Sequence, residues 1–198
     1  MGRKLAAMMA MGWAVAGCAE KKMDMAEMTQ PPTPAPEMDM LKPLLGTWTG
    51  TAELVEPAPK EMAANMPEGS EPPSNTSSGG GTWELALGDM FVKMDGWHET
   101  GDGQRMEMVE YLTWDCKAGK FHSWYFAGDG GTGEGWQTPT QGGKKFTATT
   151  KGRDARGNPT CGSGTWWMVD DNTMQWTWEE TGPMGKMKMK GISTRVAG

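Results

Sequence analysis

From Leu41 to the C-terminus the chain is a succession of short stretches in which apolar and polar residues alternate. Lys186, Met187, Lys188, Met189 and Lys190 show the rule most simply, with methionine on one face and lysine on the other. That is the two-residue period of a strand with one buried face and one wet face. Trp176 with Trp178, Met106 with Met108, and Trp83 with Leu85 and Leu87 repeat it. The stretches carry Trp, Thr, Val, Phe and Tyr, and Gly, Asp, Asn and Pro clusters divide them. They predict strands over 46–55, 81–87, 90–98, 105–114, 119–127, 131–137, 143–152, 163–169, 173–180 and 186–195. Helical periodicity is hard to find. Gly88-Asp89, Ala118-Gly119 and Asp171-Asn172 are hairpin-type connectors, so the expected fold is all-β. It is an antiparallel up-and-down meander of about ten strands that closes into a barrel and so removes its edges.

One connection breaks this rhythm. Residues 56–80 hold Pro57, Pro59, Pro67, Pro72 and Pro73 and run into Gly79, Gly80 and Gly81. A connection of that length is usually functional or disordered, and here two readings stand: a flexible loop, or a lid across the barrel mouth.

Upstream of the barrel the pattern is different. Gly2, Arg3 and Lys4 precede an uncharged apolar run of 12 residues from Leu5 to Ala16. A bilayer-spanning helix needs about 20, so the run fits a signal-peptide core. Residues 19–40 are polar and methionine-bearing, with prolines from Pro31 to Pro36 and no aromatic residue. This composition predicts a disordered tether. Met23, Met25, Met28, Met38 and Met40 raise the question of Cu(I) binding by thioethers. Against it stands the abundance of methionine throughout the chain, 20 copies beside eight leucines and one isoleucine.

Val15-Ala16-Gly17-Cys18 resembles the bacterial lipobox. That resemblance implies a signal peptide over 1–17, lipid on Cys18 with more than one acyl chain, and stable membrane attachment. Ala19 in place of aspartate implies the outer membrane if the cell has two. Loss of residues 1–17 removes Arg3 and Lys4 and leaves 17 basic residues against 25 acidic ones, a net charge of −8. So acidic a chain disfavours nucleic acid and anionic headgroups as partners, leaving the lipid to make the membrane contact.

Within residues 41–198, Leu44-Leu45-Gly46-Thr47-Trp48-Thr49-Gly50 resembles the Gly-x-Trp opening of calycin-type barrels. The resemblance implies that Trp48 plugs the closed end and that a basic residue of the last strand, Arg195 or else Lys190, packs on it. With an even number of meandering strands, the first residue of the first strand and the end of the last share one end of the barrel, which makes Trp48 and Arg195 neighbours. Further pieces are Leu87 to Val92, and Tyr111-Leu112-Thr113-Trp114-Asp115 leading through Lys117 to Trp124. Together they make the domain resemble an uncharacterised bacterial lipocalin-like family, a domain of unknown function whose first connection is usually much shorter.

Candidate chemistry changes this picture little. Trp83, Trp114, Trp124, Trp167, Trp176 and Trp178 are candidates to line a cavity for a small apolar or amphipathic ligand. The alternative is a filled barrel acting as a non-enzymatic scaffold of the cell envelope, in which tryptophan and methionine supply packing volume. A contiguous cavity above roughly 300 Å³ lined by those tryptophans separates the two. His98, Glu110 and His122 are the polar candidates, and a metal site would need all three to converge. Neither a metal nor a cofactor is expected. Glu179 and Glu180 point to opposite faces of one strand and do not act jointly, and the chain holds no HExxH, CxxC or Gly-x-Ser-x-Gly. The expectation is therefore a binding protein, not an enzyme. Cys116 and Cys161 remain beside Cys18. The meander puts them at opposite ends, roughly 27 Å apart, beyond the ~7 Å that a disulfide spans between Cα atoms.

Overall fold

The computed structural model describes residues 32–56, 75–101, 103–183 and 185–197. The proposed signal peptide, Cys18, Met23, Met25, Met28 and most of the 56–80 connection lie outside them. Ten strands form one closed antiparallel barrel in sequence order. They are β1 (Gly46–Leu54), β2 (Thr76–Ala86), β3 (Phe91–Thr100), β4 (Arg105–Asp115), β5 (Lys120–Ala127), β6 (Thr132–Thr140), β7 (Lys145–Arg153), β8 (Pro159–Asp170), β9 (Thr173–Gly182) and β10 (Gly185–Arg195). The barrel closes where β10 pairs with β1, with Trp48 opposite Arg195.

Two strands begin earlier than the hydrophobic pattern predicts. Thr76 already pairs with Glu53 of β1, and Pro159 with Arg153 of β7. At these starts the inward positions are Ser77 and Gly79 in β2, and Thr160 and Gly162 in β8. Small residues carry no apolar signal, yet their backbone groups bond across the ladder like any others.

A larger departure lies at the N-terminal side. Residues 36–40, which composition assigns to the tether, belong to a 3-10 helix, Pro36–Leu44. Pro36 supplies a preset φ at its first turn, and Met38, Leu41 and Leu44 are its buried residues. At three residues per turn a spacing of three stacks side chains on one face. That face enters the barrel end and packs with Val92, Leu112, Phe121 and Phe146. Leu41, Val92, Leu112, Phe121 and Phe146 are wholly buried. Above the helix the rings of Trp114 and Phe121 meet at 5.0 Å, Phe121 and Phe146 at 5.9 Å, and Phe146 and Trp166 stack at 4.0 Å. Together they form a floor, in which Phe121 and Phe146 are wholly buried and Trp114 and Trp166 partly so.

Arg195 and Trp48 fasten the helix to the barrel. Trp48 Nε1 donates to the Leu44 carbonyl at 2.7 Å, Arg195 Nη2 to the Pro43 carbonyl at 2.6 Å, and Arg195 Nη1 to the Leu45 carbonyl. The carbonyls that a helix end leaves without partners are thereby satisfied. The guanidinium also lies 4.4 Å from the centre of the Trp48 ring. Lys190, the other basic residue considered for this position, faces outward and pairs with Glu53 at 2.6 Å. Gly46 turns the chain from helix into β1 at φ 114°, where a Cβ would sit 2.8 Å from Arg195 Nη1.

Candidate functional site

Ten strands make a wider barrel than eight, whose interior side chains alone just fill. The excess width is handled differently at the two ends. At the end where β1 starts, helix and large side chains occupy it. Towards the other end many inward positions are glycine, and aromatic side chains lie flat on them. A Cβ at Gly162 or Gly164 would collide with the Trp178 indole, one at Gly191 with Trp176, and one at Gly133 or Gly152 with Tyr125. The rings are thus laid along the wall and not driven across the centre.

Exposure marks the result. Tyr125, Trp176, Trp178, Met187 and Met189 point inward by register, yet each keeps partial solvent contact. Their strands are hydrogen-bonded on both sides, so an inward side chain reaches water only through the lumen. The open half of the barrel is therefore wet inside, while Trp48, Phe121 and Phe146 beneath it are dry.

A polar network sits between the two. Trp166 Nε1 donates to Gln137 Oε1 at 3.0 Å, and Gln137 Nε2 donates to Glu110 Oε1 at 3.4 Å, linking β8, β6 and β4 across the interior. Burial pushes the Glu110 carboxyl up to about 7, against a smaller opposing effect of Ser123 and Gln137. The Ser123 hydroxyl lies near enough to favour the charged carboxylate, but it makes no well-formed bond and is buried without a partner. Nearer the open end, burial raises the carboxyl of Glu180, and burial lowers His98, which favours its neutral form.

The sequence candidates divide into three groups. Trp176 and Trp178 line the open half. Trp83 and Trp114 also face inward but pack against the core at the closed end. Trp124 and Trp167 face outward, a correction to their expected place in a cavity. Phe121 is fixed at the buried floor, so alternation sends His122, Trp124 and Phe126 to the outer surface. Trp166, the neighbour of Trp167, takes the inward position instead, and Met168 two residues on carries the signal, since methionines of other strands also point inward. Gln137 and Ser123 had no such signal.

His98 and Glu110 face inward, as alternation from Met94 and Met108 requires. His122 does not join them. It stacks on Trp136 outside the barrel at 4.1 Å and approaches Glu134 at 3.3 Å. The three-residue metal site is therefore not assembled, and among the described residues no group of three or more His, Cys, Asp or Glu is arranged to hold a metal. Glu179 is outside, bonded to Lys186 at 2.5 Å, while Glu180 is inside. Cys116 lies in the β4–β5 turn at the closed end, Cys161 near the start of β8 at the other, and both are free and exposed.

Two surface clefts do not answer the cavity expectation. One of about 350 Å³ lies along β5 to β7 and includes Trp124, Phe126 and Arg153. Another of about 310 Å³ lies at the rim of β1 to β3 around Ser77 and Thr100. Of the six candidate tryptophans, Trp124 alone lines either.

No family model matches the chain, and no curated protein matches it. Solved structures do resemble it. Rv2717c from M. tuberculosis is 14% identical with a TM-score of 0.56, over 83% of this chain and 100% of that one. The S-type phycobiliprotein lyase CPES from Guillardia theta is 8% identical with a TM-score of 0.50, over 81% of this chain and 92% of that one. At such identities the likeness is one of architecture, and on that ground the chain is a lipocalin-like β-barrel.

Proposed function

We propose that this barrel is a non-enzymatic binding module that holds one small apolar or amphipathic ligand in its open half. The observation that carries the reading is the unsealed interior, where inward-facing Trp178, Tyr125 and Met189 retain solvent contact that a ligand would remove. Apolar walls with a few converging polar groups are the usual construction of such sites. We further propose that the protein is exported and held to a membrane, in a two-membrane cell the outer one, through lipid on Cys18. The order of basic start, apolar run and small-small-Cys supports this, and labelled palmitate should enter the chain and fail to enter Cys18→Ser.

Binding is tested by titrating the neutral fluorescent probe N-phenyl-1-naphthylamine against the full-length chain and counting bound molecules by native mass spectrometry. One probe per chain is expected, with affinity reduced about tenfold in Trp178→Ala, the scale of losing one aromatic wall. The reading fails if the probe does not bind, or if Trp178→Ala leaves binding intact while Trp124→Ala on the outer cleft abolishes it.

A further inference from the structure

We infer that the lumen selects an amphipathic cation, an ammonium group on an apolar body that enters from the open end and places its charge against Glu110. The inference rests on the reading of the barrel as a binding module and specifies its ligand class.

Charge sorting is the first argument. By register the lysines and arginines of the strands face outward, as Lys93, Lys151, Lys188 and Lys190 show, with Arg195 the exception. Arg195 is committed at the closed end to the carbonyls of Pro43, Leu45 and Asp171. Two carboxyl groups, Glu110 and Glu180, point inward. Among the described residues the lumen thus offers two carboxyl groups and no uncommitted lysine or arginine. A carboxylate or phosphate ligand would approach two acids with no cation to pair with, whereas an ammonium group supplies the missing partner.

Incomplete bonding is the second. An ionised carboxylate accepts about four hydrogen bonds. Glu110 receives one long bond from Gln137, at 3.4 Å. Beside it the Ser123 hydroxyl is 1% exposed and has no partner. The Ser123 hydroxyl is thus buried without a partner beside a carboxyl that keeps partial solvent contact, an arrangement that suits a receptor awaiting a donor. An ammonium head provides donors for both oxygens at once. Aromatic rings supply the third argument, because inward-facing Tyr125 is the cross-strand partner of Glu110 and Trp178 lies against the glycines of β8, and aromatic faces attract cations and tolerate their apolar substituents.

The test compares three ligands with one tail, decylammonium, decanol and decanoate, by calorimetry on the full-length chain. Salt of about 0.15 M screens the acidic exterior. Decylammonium should bind at least about tenfold more tightly than decanol, with decanoate weakest, and Glu110→Gln should reduce that preference to about threefold or less while decanol binding persists. The wild type provides a readout that needs no variant. Burial raises its Glu110 carboxyl to about 7, so binding a cation there near pH 7 should release a fraction of a proton, seen as different apparent heats in two buffers of unlike ionisation enthalpy. Among the described residues His98, Glu180 and Tyr125 are the other titratable groups facing the lumen, beside Arg195 at the closed end, and His98→Gln and Glu180→Gln should retain most of that release. Equal binding of all three ligands, or a preference unchanged in Glu110→Gln, overturns the inference and leaves the binding module standing. If no ligand binds, both readings fall together.

Discussion

The two halves of this barrel share the same ten strands and the same alternation, yet one is sealed and the other is not. At the closed end Leu112, Phe121, Phe146 and the helix residues Leu41 and Leu44 are buried to 1% exposure or less. Towards the open end several inward positions are glycine with aromatic rings lying on them, and the inward side chains of Tyr125, Trp178, Met187 and Met189 stay partly wet. The difference teaches that barrel closure and barrel filling are separate properties. Backbone pairing closes the wall whatever the side chains are, whereas dryness depends on the volume they carry and on a helix arriving from outside the sheet.

The sharpest way to break the comparison is to truncate one large residue in each half. Phe121→Ala should cost about 3–5 kcal/mol, as for other buried phenylalanines, while Met189→Ala, whose side chain keeps partial solvent contact, should cost about 1 kcal/mol. Urea midpoints measure both, and equal losses would dissolve the distinction. Arg195→Met ranks next. It leaves three carbonyls without their donor, with an expected loss of about 1–3 kcal/mol and faster hydrogen exchange confined to the closed end. The last prediction concerns the boundary between the halves, and its sign is the informative part. Because burial raises Glu110 to about 7 from an ordinary 4.5, the native state keeps a proton that the unfolded chain releases between those values. Stability should therefore fall as pH rises from 4.5 to 7. Glu110→Gln should flatten that decline and match the wild type most closely at its acidic end.

Much of the wall was legible. The methionine and lysine of β10 alternate so regularly that Met187 and Met189 could be assigned inward without structure, and Lys186 and Lys190 do form outer ion pairs with Glu179 and Glu53. The 36–44 helix was not, because a short, proline-flanked 3-10 turn lacks the 3.6-residue period by which helices are recognised. Its own signal, the spacing of Met38, Leu41 and Leu44 by three, is visible only once that geometry is considered. Within the candidate site, Trp176 and Trp178 were readable from alternation in β9. Trp166 and Trp167 were not separable, since two adjacent tryptophans point to opposite faces and one residue of register decides which is inside.

What the sequence determined by itself was therefore local and periodic: ten strands, their order, and the pairing of their ends that brings Trp48 to Arg195. These follow from a two-residue period and short turns, which need no knowledge of distant partners. Tertiary structure alone decided what the interior contains. Gln137, Trp166, Ser123 and Glu110 come from four strands, and only closure of the sheet brings them together around one carboxyl. Glycine has no side chain and hence no hydropathy to read, so the space it leaves beneath Trp178 appears only when the opposing wall is in place.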